Sequence, residues 1–119
     1  MTSLSWHRIV TRYEVEHDLV LPELTVKTIV VEGKKICLGR FKNEYYALDD
    51  KCMHAGGSLG EGKCDLNGNV ICPFHRYKYN MVTGKNTSGE GYYANTHPLE
   101  TREDGIYIGL PVKKWWQLF

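Results

Sequence analysis

CMHAGGSLGEGKCDLNGNVICPFH, running from Cys52 to His75, contains two short stretches that each pair a cysteine with a histidine. Cys52 stands with His54 in the first, and Cys72 with His75 in the second. A disulfide needs no histidine, and an ordinary loop needs neither residue. The flanks read as strands. YYALDD (Tyr45–Asp50) comes before, with alternate residues able to face opposite sides of a sheet. NVI (Asn69–Ile71) runs directly into Cys72, and YKYNM (Tyr77–Met81) leads away from the second pair. Both pairs therefore fall on connections between strands, where a rigid sheet positions functional groups.

Further out, the same strand grammar continues. TVKTIVV (Thr25–Val31) reads as a strand, Gly33 turns the chain, and KICLGRF (Lys35–Phe41) reads as its neighbour. Lys42–Glu44 makes the next turn, and Gly84 closes another within Val82–Gly84. HPLETREDGIYIGL (His97–Leu110) reads as one hairpin around Asp104–Gly105, a dipeptide suited to tight turns. Lys85–Tyr93, rich in glycine and polar residues, reads as a surface loop. Helical periodicity, internal repeats and low-complexity tracts are not evident. The expected fold is all-β, a small antiparallel barrel or sandwich, in one domain covering 1–119.

Composition narrows the function classes. With 119 residues, 42% hydrophobic, the chain is long enough to bury a core without disulfide staples. No apolar run approaches the roughly 18 residues of a membrane span. The opening MTSLSWHRIV meets charge too early for an export signal, so a cytoplasmic location is expected. Fifteen basic and fourteen acidic residues nearly cancel, and no basic cluster exceeds Lys34–Lys35 or Lys113–Lys114. Nucleic acid is accordingly not an expected partner. In a reducing compartment the four cysteines point to metal or chemistry more than to disulfides. Cys37, in an apolar run, reads as a small buried hydrophobe, and Cys64, in a polar turn, as a free surface thiol.

Two thiolates and two imidazoles, brought face to face, suit two chemistries. Structural zinc usually takes its ligands as a C-x-x-C pair and an H-x3–5-H pair, whereas here each loop has one of each. A [2Fe–2S] cluster of the Rieske kind asks for this set, because two histidines replace two cysteines on one iron. At these residues the chain resembles the Rieske family, whose signature C-x-H-x(15–17)-C-x-x-H is matched by Cys52, His54, Cys72 and His75. The glycines and leucine of CMHAGGSLGEGK, Pro73 after the second cysteine, and the turn at Val82–Gly84 agree with it.

The resemblance implies a β-scaffold of about 1–50 and 77–119 carrying cluster-binding loops of about 51–76. It implies one [2Fe–2S] cluster, with Cys52 and Cys72 on the inner iron and His54 and His75 on the outer one. Around it, Gly56 and Gly57 would let the backbone approach and offer N–H groups to the sulfurs. Pro73 would limit the splay of its loop, and Leu59 and Phe74 would serve as apolar covers or as core residues. The two extra bridging cysteines of high-potential members are replaced by Gly57 and Phe74, and their serine after the second histidine by Tyr77, which implies the low-potential group that resembles the dioxygenase ferredoxins. Tyr79 points the other way: it stands where such members place a hydroxyl on a ligand sulfur. A strand tyrosine packed in the core is the alternative. Arg76 occupies a position that is glycine in many members.

Function follows from what is left over. An oxygenase's mononuclear iron needs two histidines and a carboxylate, and His7, His17 and His97 lie in separate segments. No nucleophile–base arrangement is visible either, so the chain is expected to carry electrons, not to transform a substrate. The implied role is a soluble one-electron carrier between a flavin reductase and a terminal oxygenase. The alternatives are a small subunit of a larger oxidoreductase, such as nitrite reductase, and a zinc-stabilised interaction module. Solvent-facing ligand histidines would also make the midpoint potential fall at alkaline pH. The aromatic tail Trp115–Phe119 reads as a cover folded on the barrel or as a docking patch.

Overall fold

The computed structural model describes residues 4–52, 57–73, 76–87 and 93–112. The chain runs β1 (Leu4–Thr11), α1 (Arg12–Glu16), β2 (Thr25–Val31), β3 (Lys34–Phe41) and β4 (Glu44–Asp49). A 3-10 turn (Leu59–Glu61) follows, then β5 (Lys63–Cys64), β6 (Asn69–Ile71) and β7 (Lys78–Asn80). The described chain closes with β8 (Thr96–His97), β9 (Leu99–Arg102) and β10 (Gly105–Pro111). They form three antiparallel sheets, ordered β1-β10-β9, β2-β3-β4-β8 and β5-β6-β7. The expected all-β architecture is therefore what the chain adopts.

The four-stranded sheet is the middle layer, and β3 is buried on both sides. Ile36 and Leu38 pack toward Val10, Ile106, Ile108 and Leu110 of the first sheet. Cys37, one residue out of phase, packs with Leu48 toward Leu59, Val70, Tyr79 and Met81. A strand covered on both faces reads as an unbroken apolar run, which is why KICLGRF has no polar alternation. Cys37 is a buried hydrophobe, and burial pushes its thiol well above the usual range.

Several details depart from the sequence reading. β1 was not anticipated; a register shift between Arg8 and Val10 breaks its alternation, so both Ile9 and Val10 contact the core. Helix α1 was not anticipated either, although Thr11 and Glu14 form a reciprocal capping box at its start. Five residues are too few to display a 3.6-residue period. The expected C-terminal hairpin is two elements: His97 pairs with Ala47 of β4, and only Leu99 onward pairs with β10. Cys64 lies in β5, half-buried on the core instead of free in a turn, and burial pushes its thiol up to about 11. In the expected surface loop, Asn86 is buried and bridges to Tyr79. Residues 113–119, including Trp115–Phe119, lie outside the described residues.

Candidate metal centre

Two loops leave strand ends and close in the same way. The first leaves β4, and the Cys52 N–H donates to the Gly57 carbonyl at 2.8 Å. The second leaves β6, and the Cys72 N–H donates to the Tyr77 carbonyl at 2.8 Å. Each cysteine thus closes a loop onto the residue five positions later, and each loop encloses one histidine of the motif. Both cysteines are fully buried, at 0% exposure, and none of the four cysteines is in a disulfide. His54, His75, Gly56 and Phe74 lie outside the described residues.

Around the two thiols stands a floor of Leu48, Leu59, Val70, Tyr79, Met81 and Ala94. Leu59 and Tyr79 are themselves fully buried, and Gly57 is buried beside them. The Tyr79 hydroxyl lies 3.4 Å from Cys52 Sγ, within hydrogen-bond reach for sulfur. Tyr79 is therefore both a core residue and a polar neighbour of Cys52. Pro73 is exposed on the second loop.

Asp50 is the site residue that sequence reasoning missed. Only 7% exposed, its carboxylate accepts from Ser58 Oγ at 2.6 Å, from Thr28 Oγ1 at 3.0 Å, and from the Gly60 N–H. These bonds tie the entry of the first loop to its exit and to β2. A buried carboxylate with this many donors holds them at fixed positions, at a desolvation cost that the bonds offset. The glycines beyond it permit the approach. A Cβ on Gly60 would lie 2.0 Å from Thr28 Oγ1, and one on Gly62 would lie 2.0 Å from the Ile71 carbonyl oxygen. The Asp-Asp dipeptide before Cys52 was the available signal, but two acids at a strand end look like ordinary solvated charge.

The Rieske [2Fe-2S] domain family matches residues 11–96. This chain belongs to that family. A Rieske domain-containing protein of Homo sapiens is 36% identical over 76 residues, an alignment that spans 61% of this chain and 45% of the human protein. The ferredoxin component of the naphthalene 1,2-dioxygenase system of Pseudomonas aeruginosa is 33% identical over 81 residues, spanning 67% of this chain and 70% of that one. Among solved structures, a chain of the complex of reduced oxygenase and oxidised ferredoxin in carbazole 1,9a-dioxygenase superposes with a TM-score of 0.71. It is 23% identical and covers 86% of this chain and 99% of its own.

The group that this Rieske domain takes is the [2Fe–2S] cluster of its family, and the donor set fits it. Two thiols free of disulfide, shielded from water and set in equivalently closed loops, are what sulfur ligation of iron requires. The other histidines are occupied elsewhere. His97 Nε2 lies 2.7 Å from Asp49 Oδ1 and is nearly buried, His17 Nδ1 faces the Tyr13 carbonyl, and His7 faces Glu32. Burial alone would raise the Asp49 carboxyl, but bonds from His97, Asn95 and Lys34 outweigh it and hold the group below the usual range. Arg76 has a φ of 56°, the left-handed region that glycine adopts freely and a β-carbon disfavours.

Proposed function

We propose that this Rieske domain is a soluble one-electron carrier, the ferredoxin component that passes electrons to a terminal oxygenase. The observation that carries this reading is the pair of buried cysteines, each of whose N–H groups donates to the carbonyl five positions later, across a segment whose sequence contains a motif histidine. It is supported by the ferredoxin component of naphthalene dioxygenase among its relatives and by a fold like that of a chain in an oxygenase–ferredoxin complex. The proposed ligands are Cys52 and Cys72 on one iron and His54 and His75 on the other. When bound, the cluster supplies a single reversible electron at a potential raised by its neutral imidazole ligands. The loops of about 51–76 form the cluster-binding part, on a base of about 1–50 and 77–119, with a flavin reductase as donor.

The chain's own residues then have distinct tasks. Leu59 and Tyr79 keep water from the sulfurs, and Phe74 is proposed to do the same from the second loop. Asp50 holds the first loop closed. Tyr79, facing a thiolate that has no proton, acts as the donor of that hydrogen bond. No catalytic centre of its own is assigned to the chain, and the cytoplasm is its proposed location. Among the described residues no helix is long and apolar enough to cross a membrane.

The deciding experiment is an absorption spectrum of the purified protein before and after dithionite, with iron and acid-labile sulfide assayed on the same sample. A red-brown protein that partly bleaches, with two irons and two sulfides per chain, is the expected outcome. A colourless protein containing one zinc would overturn the carrier reading.

A further inference from the structure

Charge is unevenly divided between the cluster region and the rest of the molecule. From Lys51 to Thr87 there are five basic residues, Lys51, Lys63, Arg76, Lys78 and Lys85, and two acidic ones, Glu61 and Asp65. The other 82 residues have ten basic and twelve acidic. Over that larger part five of the eight described cations are locally neutralised: Arg8 by Asp104, Arg12 by Glu16, Lys34 by Asp49, Arg40 by Asp18, and Arg102 by Glu100. Around the second loop the pattern changes. Among the described residues neither Lys63 nor Arg76 has an ion-pair partner, and Lys78 meets Asp65 at 3.6 Å.

The sheet arranges these cations in a row. Lys63 is the cross-strand neighbour of Ile71, and Ile71 of Lys78, so two lysines flank the residue that leads into Cys72. Their alternation partners, Cys64, Val70 and Tyr79, face the core, which turns the lysines outward. With Arg76 they line the surface depression that reaches Cys72. Arg76 adds an independent observation. It is exposed, and it holds a left-handed backbone that costs a non-glycine residue stability. Among the described residues no hydrogen bond or ion pair holds its side chain.

We propose that this cationic rim, Lys63, Arg76 and Lys78, is the docking surface for the redox partner, and that the partner meets it with an acidic protein face. The proposal rests on the electron-carrier reading. A net negative base behind a net positive rim gives the molecule a charge asymmetry that turns the cluster end toward an anionic surface during encounter. Such steering acts within a Debye length, so added salt weakens it.

The test needs no knowledge of the partner. Purified holoprotein is reduced and mixed in a stopped flow with ferricyanide or with tris(phenanthroline)cobalt(III). In each case one electron leaves the reduced protein, giving ferrocyanide or the cobalt(II) complex. As ionic strength rises, the ferricyanide rate should fall at least about threefold and the cobalt rate should rise. Poly-L-glutamate should slow the ferricyanide reaction, and poly-L-lysine should not. Lys63→Glu with Arg76→Glu should flatten or reverse the salt dependence with iron content unchanged. Arg76→Gly serves as a second variant: it should melt at a higher temperature, because the backbone strain is relieved, yet show a shallower ferricyanide salt dependence. A coloured, redox-active protein whose rates ignore salt, or whose variants keep the wild-type slope, overturns the docking surface alone. A protein without iron or colour overturns the carrier reading and the docking surface with it.

Discussion

β3 presents one face to each of two cores, and the two are made of different materials. Ile36 and Leu38 look toward an aliphatic core with Val10, Ile106, Ile108 and Leu110. Cys37 looks the other way, toward a core in which the sulfurs of Cys52, Cys72 and Met81 and the Tyr79 hydroxyl join Leu48, Leu59, Val70 and Ala94. The first is complete by hydrophobic burial alone. The second has two buried thiols and a tyrosine hydroxyl, the groups proposed to meet the cluster. The middle sheet thus separates the part that makes the molecule stable from the part that makes it useful.

The largest expected effect comes from the sulfur core. Cys52→Ser should purify colourless, with iron per chain near zero, yet retain a β-type circular dichroism spectrum and a cooperative melt from the aliphatic core. Complete unfolding of the variant would show that the two cores are one cooperative unit and would break the comparison. Next, Ile108→Ala should cost about 2–5 kcal/mol in chemical denaturation while leaving the spectrum and midpoint potential of the folded protein unchanged. A shifted potential would mean that packing on the far face reaches the cluster.

Asp50→Ala should be smaller in stability but specific to one core. It strands Ser58 Oγ, Thr28 Oγ1 and the Gly60 N–H, a loss of about 1–3 kcal/mol, and should speed iron release to a chelator. Equal release rates in wild type and variant would show that the loop stays closed without it. Tyr79→Phe should be the mildest, costing about 0.5–1.5 kcal/mol. A hydrogen bond to a ligand sulfur favours the more negative, reduced state, so losing it should lower the midpoint potential. An unchanged potential in protein-film voltammetry would leave Tyr79 a packing residue only.

Much of the architecture was legible because local signals agreed with it. Thr25–Val31 and Lys35–Phe41 are β-branched and apolar, and their hairpin turns where Gly33 takes a φ of 77°. The hairpin at Asp104–Gly105 was legible for the same reason. β1 was not, because its bulge abolishes the alternation on which strand reading depends. The split at Pro98 was hidden as well: Thr96–His97 and Leu99–Arg102 are close in sequence but pair with strands of different sheets. Asp50 was invisible because its partners lie on two separate segments, at Thr28 and at Ser58–Gly60.

Cys52, His54, Cys72 and His75, at their spacing, were enough to point to the family that the match over residues 11–96 shows, because residue type and interval are read directly from the sequence. The β class was equally available, since strand and turn propensities are local. Only the tertiary structure decided which side of each strand meets which core, that a buried aspartate clamps the first loop, and that Lys63 and Lys78 stand on either side of Ile71 beside Cys72. Those are contacts between residues distant along the chain, and they exist only once the sheets have paired.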